Sequence, residues 1–300
     1  MPTAGGRERR RARVRFNIVS NLTNGAGLQR DFEMLRAELE RRGHEVHGIP
    51  FRGPMCVPAP ADVNVFLEVV VPSLLPCARQ NVAIPNPEWW FKAWPLDVWD
   101  LVLTKTHDAT RIFRDLVGDR CEYHGWQARD VYDPAVPRVP RFLHVAGKSR
   151  SKNTPAVLDG AKRAGVPVTV IAQGHQARVT DDELAQLLNA HLFCLLPSAY
   201  EGYGHSLHEA YGCGQVVLTT DAAPMNETAP AILIRPQHRR THHCGVLHEV
   251  SGKDVARAIQ RALALTEAEI ASMSQQVRAA FDADRALFHA NLDRVLEARL

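Results

Sequence analysis

The sequence lacks several patterns, and each absence argues against a class of function. No apolar run approaches the roughly 18 residues that cross a bilayer, and the N-terminus has no apolar signal-peptide region. The six cysteines form no CxxC pair and no disulfide-like spacing, which is typical of a reducing cytosol. Neither a GxSxG motif nor a Cys/His triad pattern is present. We therefore expect a cytoplasmic protein that uses none of these nucleophiles.

What is present is an ordinary globular composition with unevenly placed charge. Of the 300 residues, 45% are hydrophobic and 23% charged, and the net charge is +3. This length suits one large domain or two ordinary ones. The stretch GRERRRARVR, from Gly6 to Arg15, carries six arginines against one glutamate. We interpret residues 1–13 as a disordered basic arm, with a phosphate-binding arm for nucleic acid or anionic lipid as the alternative.

Hydrophobic periodicity predicts a βαβ unit at the start of the chain. VRFNIVS is typical of a strand, and the following helix places Phe32, Leu35 and Leu39 on one face. Gly43 lies where a C-cap glycine belongs, and HEVHGIPF restarts as a strand. Further strands are predicted at DVNVFLEVV, QNVAIPN and WDLVLTKT. This alternation of strands and helices indicates a parallel sheet.

The alternation returns after YDPAVPRVPRF, whose three prolines are incompatible with a helix or a central strand. The predicted fold is α/β, with two Rossmann-like parallel-sheet domains, an interdomain cleft and C-terminal helices. We place an N-terminal domain at 14–131, the linker at 132–141 and a C-terminal domain at 142–275. Residues 276–300 are predicted as a helix that packs back toward the N-terminal domain.

The loops that follow the strands are the candidate site, because ligands bind at the carboxyl ends of parallel strands. NGAG, residues 24–27, lets the backbone approach an anion, although it lacks the GxGxxG pattern of NAD sites and also fits a plain tight turn. GKSRSKN, residues 147–153, brings three cations and two hydroxyls to one strand end, which suits a phosphate or diphosphate. It lacks the P-loop frame, and a solvated basic turn is the alternative.

The most informative loop is EGYGHSLHEAYGCG, from Glu201 to Gly214. Gly202 and Gly204 free backbone amides to face an anion at a helix N-terminus. The S-x-x-E spacing of Ser206 and Glu209 predicts a capping box that begins a helix at Ser206. Glu201 lies outside that box and is left without a structural explanation. Phosphate at the helix N-terminus and sugar hydroxyls at both carboxylates is the arrangement that chemistry favours.

These residues resemble a known family. LLPSAYEGYGHSLHEAYGCG carries Glu201 and Glu209 as in the E-x7-E signature of retaining GT-B glycosyltransferases of family 4, the glycosyl transferases group 1. Gly147, Lys148 and Lys152 match the family's basic phosphate loop with one residue fewer between them, and NGAG with LERRGHEV resembles its N-terminal glycine loop and helix. The resemblance covers most of residues 14–295 and is weaker between 50 and 130.

The resemblance implies a nucleotide diphosphate sugar as donor, UDP-linked or otherwise, and neither cofactor nor metal. The roles it implies fall into three groups. Expected catalytic residues are Glu201, on the transferred sugar, and Lys148 and Lys152, on the phosphates. Expected donor-binding residues are Glu209 on the ribose, together with Gly202, Tyr203, Gly204, His205, Ser206, Gly147 and Gly174. Expected acceptor-side residues are Gly25, Gly27, Asn86 and Glu88.

The sequence departs from the family at one point, and alternatives stay open. The family often has a histidine after the fourth N-terminal strand, where this chain reads IPNPEWW and offers Asn86 and Glu88 instead. The same fold could instead glycosylate hydroxymethylated bases in DNA, as the arginine arm suggests, or be a non-catalytic nucleotide-sugar binder. Three tryptophans could stack on a sugar or base or pack the cleft wall: Trp89, Trp90 and Trp94. The stretch from His238 to Cys244 is interpreted as a polar loop, with a zinc site as the alternative.

Overall fold

The computed structural model describes residues 13–23, 25, 27–51, 60–147, 149–172 and 179–300. Two sheets with flanking helices make up this part of the chain. The first sheet has six strands, in chain order β1 (Arg15–Ser20), β2 (Glu45–Pro50), β3 (Ala61–Leu67), β4 (Ala78–Ile84), β5 (Leu101–Thr104) and β6 (Cys121–Tyr123). Their order across the sheet is β2-β1-β3-β4-β5-β6. Helix α1 (Gly27–Arg41) follows β1, and α2 (His107–Val117) follows β5.

The second sheet has five strands: β7 (Val139–Gly147), β8 (Val168–Ala172), β9 (His191–Leu196), β10 (Val216–Thr220) and β11 (Ile232–Ile234). Their order is β11-β10-β9-β7-β8, and every neighbouring pair is parallel. The helices are α3 (Thr154–Ala164), α4 (Asp181–Ala190), α5 (His205–Gly212), α6 (Gly252–Leu263) and α7 (Glu267–Ala298). β12 (His238–His242) and β13 (Gly245–Glu249) form a separate antiparallel hairpin.

The local sequence explains why these elements form. β1 is buried over its last five residues and pairs in parallel with β2 and β3, as expected of a central strand. α1 buries Phe32, Leu35 and Leu39 on one face, and Gly43 follows it with φ of +84°, a conformation that favours glycine. Thr266 and Glu269 form a capping box at the start of α7. The predicted α/β alternation with two parallel sheets is therefore confirmed.

The chain divides into two compact units. The first comprises residues 1–83 and 98–100, and the second comprises residues 84–97 and 101–300. The core of the second unit lies between its parallel sheet and the helices α3 and α6. It is built from Phe142, Val157, Phe193, Leu195, Val216, Leu218, Val255 and Ile259, among others. The predicted domain boundaries at 14–131, 132–141, 142–275 and 276–300 remain predictions, and the basic arm lies almost entirely outside the described residues.

Two local expectations were wrong. The stretch from His238 to Cys244, interpreted as a polar loop, is strand β12 and the turn of the hairpin, in which His243 has φ of +53°. The hydrophobic pattern does not indicate β12, because this strand is polar along its whole length. Pro140 was expected to exclude a strand, yet it lies in β7. The register of β7 against β9 is irregular between Val139 and Phe142. The proline, which has no backbone N–H group, therefore does not interrupt a regular ladder of hydrogen bonds.

No helix in the described residues is long and apolar enough to cross a membrane.

Candidate functional site

The loop between β9 and α5 runs along the carboxyl end of the second sheet. α5 begins at His205, and Gly204 is its N-cap residue with φ of +88°. No side chain caps this helix, so the predicted capping box of Ser206 and Glu209 is wrong. Gly204 takes the left-handed conformation that only glycine adopts readily, which moves the helix start one residue earlier than the motif predicts. The first amides of α5 are thereby left without a capping side chain.

The predicted catalytic pair comes together at this edge. Lys152 lies at the end of a 3₁₀ turn, Arg150–Lys152, that follows β7, and its Nζ donates to Oε1 of Glu201. Both side chains are mostly buried, at 14% and 13% exposure. Strands β7 and β9 are neighbours in the sheet, which explains why the loops after them meet. A lysine and a carboxylate in contact beside a helix N-terminus form a charged site at the carboxyl ends of parallel strands.

Backbone contacts hold these two loops together. Asn153 has φ of +52°, and its Nδ2 donates to the carbonyl of Pro197 at 2.8 Å. The amide of Ala199 donates to the carbonyl of Ser151 at 2.6 Å. These bonds fix the 3₁₀ turn against the loop that carries Glu201, so the geometry of the ion pair is set by the backbone as well as by the two charges.

Glu209, the predicted ribose ligand, lies in a buried ion pair. Its side chain is 1% exposed, and its Oε1 accepts a hydrogen bond from Nε of Arg129 at 3.1 Å. Arg129 also contacts Oδ2 of the exposed Asp181 at 2.7 Å. Burial lowers the pKa of Arg129, but the two carboxylates outweigh that effect and raise it. Arg129 therefore stays charged and neutralises Glu209. No local pattern in the sequence predicts this contact, because Arg129 lies 80 positions from Glu209.

Asn86, a predicted acceptor-side residue, packs on the glycine of the same loop. It follows β4, and a Cβ placed on Gly202 would lie 2.3 Å from Cγ of Asn86. Gly202 is thus required by steric contact with Asn86, whatever else its amide does. The structure places Asn86 against the loop that carries Glu201. The sequence does not predict this contact, because Asn86 and Gly202 are far apart in the chain.

Tyr200, next to Glu201, forms a second polar contact that the sequence did not predict. Its hydroxyl donates to Oδ2 of Asp108 at 2.6 Å, and Arg111 donates to the other carboxylate oxygen at 2.7 Å. Burial, followed by the charge of Asp108, raises the pKa of Tyr200. Glu227 accepts from the amide of His107 at 2.9 Å, at the start of α2. These bonds join α2 to the loops after β9 and β10.

An aromatic stack lies at the start of α5. Tyr203 stacks on His208 with ring centroids 3.9 Å apart, and His205 meets Tyr203 edge-on at 5.3 Å. Burial lowers the pKa of His208 to about 4, so the imidazole is neutral at pH 7. The neutral ring has Nδ1 3.1 Å from the carbonyl of Gly204. The stack fixes the orientation of the first turn of α5.

The other predicted residues lie in several places. Lys148 and Gly174 are outside the described residues. Gly147 ends β7 with φ of +58°. Gly25, whose amide donates to Oε1 of Gln29, and Gly27, the first residue of α1, belong to the first unit. The amide of Glu88 lies 3.4 Å from where a Cβ of Gly245 would be, which places Glu88 beside the hairpin.

The described residues contain no group of three or more His, Cys, Asp or Glu side chains that could hold a metal ion. What the site offers is a lysine paired with a carboxylate, a helix N-terminus opened by glycine and a buried carboxylate held by an arginine. Such groups bind a dianionic phosphate group and neutral hydroxyls side by side.

Comparison with protein families gives a match that spans the candidate site. The family described as "Glycosyl transferases group 1" matches residues 121–264, just under half of the chain. The match includes Arg129, Lys152, Glu201 and Glu209. No protein with a curated description matches the sequence. The matched segment, 144 of the 300 residues, is similar to a glycosyltransferase group 1 domain.

Solved structures share the fold at low sequence identity. A glycosyltransferase from Rickettsia africae ESF-5 matches with a TM-score of 0.70 at 11% identity, over 96% of this chain and 100% of that one. Anabaena Alr3699/HepE, solved in complex with UDP and glucose, gives 0.65 at 11% identity, over 95% and 100%. The GtfA/B complex gives 0.58 at 15% identity over 78% of this chain, which spans 57% of that chain's length. At these identities the matches show the GT-B fold alone.

Proposed function

We propose that this protein is a glycosyltransferase that takes a sugar from a nucleotide diphosphate sugar and transfers it, with retention of the anomeric configuration, to an acceptor hydroxyl. The observation that carries the proposal is the contact of Lys152 with Glu201 beside the glycine-opened N-terminus of α5. A cation and the N-terminal amides of a helix suit a diphosphate, and a carboxylate suits the hydroxyls of a sugar. UDP is the first nucleotide to test, because a protein of the same fold was solved with UDP and glucose.

In the proposed reaction the acceptor hydroxyl approaches the anomeric carbon on the face that the diphosphate leaves. The bond between that carbon and the phosphate oxygen breaks as the new glycosidic bond forms, and the departing diphosphate takes the proton of the acceptor. Lys152 and the first amides of α5 stabilise the charge that develops on the leaving group. Glu201 holds the hydroxyls of the transferred sugar. These groups would take the place of a metal, so we expect activity to persist in EDTA.

Glu209 keeps its proposed role at the ribose, under one condition set by the structure. Its carboxylate is buried against Arg129, so a ribose hydroxyl can reach it only if Arg129 shifts. Asp181, the second partner of Arg129, gives the guanidinium a place to remain paired when that happens. Asn86, against Gly202, is proposed to contact the sugar or acceptor where the family often has a histidine.

The test is donor binding and turnover in matched variants. Lys152→Ala should lower the transfer rate by about 100-fold, the usual cost of removing one group that stabilises developing charge. Glu201→Gln should lower it by about tenfold or more, through loss of charged hydrogen bonds to the sugar hydroxyls. Lys162→Ala is the control, because Lys162 is an exposed lysine on the nearby α3. Thermal shift with UDP, GDP and ADP identifies the nucleotide, because a ligand that binds the folded state alone raises its melting temperature.

Two results would contradict the proposal. One is wild-type nucleotide affinity and turnover in both Lys152→Ala and Glu201→Gln. The other is a product whose anomeric configuration, read by NMR, is opposite to that of the donor, which would exclude retention.

A further inference from the structure

A surface of aromatic and basic side chains lies beside the loop that carries Glu201. It consists of the segment 87–94 after β4 and the hairpin β12–β13, and is called here the aromatic–basic platform. The amide of Cys244 donates to the carbonyl of Pro87 at 3.1 Å, which joins the two parts. Trp89 meets His242 edge-on at 6.3 Å, and Phe91 meets His243 at 4.4 Å. Hairpin and segment therefore form one continuous surface within the second unit.

The platform exposes two large aromatic side chains on a firmly anchored segment. Trp89 is 50% exposed and Phe91 is 47% exposed. Between them, Trp90 is 1% exposed and packs edge-on against Phe113 at 5.3 Å and Trp94 at 5.0 Å. A segment held by a buried tryptophan does not need the neighbouring aromatic rings at its surface for stability. Two exposed rings that both contact the hairpin make this surface a candidate for binding.

The charge on the platform is positive. Lys92, Arg239 and Arg240 are exposed, and none of the three has an ion-pair partner within the described part of the chain. The positive charge also affects His242. Burial lowers the pKa of this histidine, and the nearby His243 and Arg240 lower it further. Two acidic residues belong to the platform: Glu249, which lies opposite His238 in the register at the far end of the hairpin, and Glu88, which is partly buried. The exposed charges nearest the aromatic rings are therefore cationic.

The composition of β12 distinguishes between two anionic partners. Its first four residues, His238 to Thr241, are exposed and polar on both faces of the strand. A bilayer surface would need a broader apolar face than two half-exposed rings. A nucleic acid strand needs cations along its backbone and aromatic faces on which unpaired bases stack, which is the set present here. The observations therefore favour a polynucleotide over a membrane.

We propose that the aromatic–basic platform binds a single-stranded nucleic acid, with bases stacked on Trp89 and Phe91 and phosphates held by Lys92, Arg239 and Arg240. The platform adjoins the candidate site: the amide of His248 donates to the carbonyl of Ala199 at 2.8 Å. A nucleic acid strand bound to the platform lies beside the loop that carries Glu201. In the proposed reaction, that nucleic acid carries the acceptor hydroxyl. That last step rests on the proposed function, whereas the binding itself does not.

The test measures binding of a fluorescein-labelled 12-nucleotide oligothymidylate to the full chain by anisotropy, without any sugar donor. Trp89→Ala and Phe91→Ala should each weaken binding about tenfold, within the range for loss of one base stack. Arg239→Ala with Arg240→Ala should reduce the slope of log affinity against log salt by about 1.4, since each phosphate contact on a single strand contributes about 0.7. Leu158→Ala, also 50% exposed, and Lys162→Ala are the controls and should bind as wild type.

Every variant keeps the arginine-rich arm. If the arm binds the oligonucleotide, binding persists in the variants with substitutions in the platform. That survival would overturn the proposal, as would no binding at 50 mM salt. Co-sedimentation with phosphatidylserine–phosphatidylcholine vesicles gives the remaining outcome. Vesicle binding that needs Trp89 and Phe91, with oligonucleotide binding unchanged in their variants, would make the platform a membrane contact. Nucleotide thermal shifts, measured separately, report the donor site and are unaffected by failure here.

Discussion

Removal of Arg129 should destabilise the protein because it takes away the guanidinium that pairs with the buried carboxylate of Glu209. Glu209 is 1% exposed and 3.1 Å from Nε of Arg129. Loss of one partner of a buried ion pair costs about 3–5 kcal/mol, mainly because the remaining charge stays buried and uncompensated. The second contact of Arg129, with Asp181, is 67% exposed on the aspartate side and contributes at most about 1 kcal/mol. We expect Arg129→Ala to cost about 3–5 kcal/mol at pH 7.

The penalty should depend on pH with a definite sign. Arg129→Ala removes a positive charge that favours the ionised form of the buried Glu209 carboxyl, so ionisation is less favourable in the folded variant than in folded wild type. A cost that comes from a buried negative charge is greatest at high pH and falls as pH decreases. The difference in unfolding free energy between Arg129→Ala and wild type should therefore be smaller at pH 5 than at pH 7.

Urea unfolding followed by tryptophan fluorescence measures these differences, since the chain has five tryptophans. Asp181→Ala, which removes the exposed partner alone, is the matched control and should cost less than 1 kcal/mol. Glu209→Gln added to Arg129→Ala should recover part of the loss, because the uncompensated charge is then gone. A loss in Arg129→Ala no larger than that in Asp181→Ala, or no recovery in the double variant, would refute the reasoning.

Three further predictions concern the same region. Tyr200→Phe removes the hydrogen bond to a carboxylate of α2 and should cost about 1.5–3 kcal/mol in urea unfolding, whereas Tyr211→Phe should be neutral because that buried hydroxyl has no hydrogen-bond partner among the described residues. Gly202→Ala should displace Asn86 and lower the transfer rate with little change in nucleotide thermal shift, and equal activity would contradict the packing. Burial lowers the pKa of His208 to about 4, so the neutral imidazole contributes its full stability above about pH 6.5 and loses it as pH falls toward 4. The difference in unfolding free energy between wild type and His208→Gln should therefore decrease by up to about 3 kcal/mol between pH 6.5 and 4.

Much of the fold and part of the site follow from the sequence. Buried strands and amphipathic helices have periods of two and 3.6 residues, so β1, α1 and the strands of the second sheet are visible in the hydrophobic pattern. The contact of Lys152 with Glu201 was also predictable in outline, because loops after parallel strands share one edge of a sheet. Their direct contact needed β7 and β9 to be neighbours, which the strand order decides.

Local motifs failed where the backbone or a distant residue decided the outcome. The S-x-x-E spacing predicted a capping box, but the left-handed conformation of Gly204 begins α5 at His205. Glu209 takes no part in capping α5. Its side chain is buried against Arg129, which lies in a distant segment of the chain. The hairpin β12–β13 was not predicted because β12 is polar along its whole length, and its pairing with β13, rather than burial, defines it.

The sequence alone determined the alternation of elements, the parallel sheets and the loops that carry the candidate residues, because these depend on patterns within about 15 neighbouring positions. The tertiary structure decided which side chains meet: Arg129 with Glu209, Tyr200 with Asp108, Asn86 with Gly202, and the hairpin with the tryptophan segment. Each of these contacts joins residues that are far apart in the chain. Such contacts are set by strand order and packing, which no local pattern encodes.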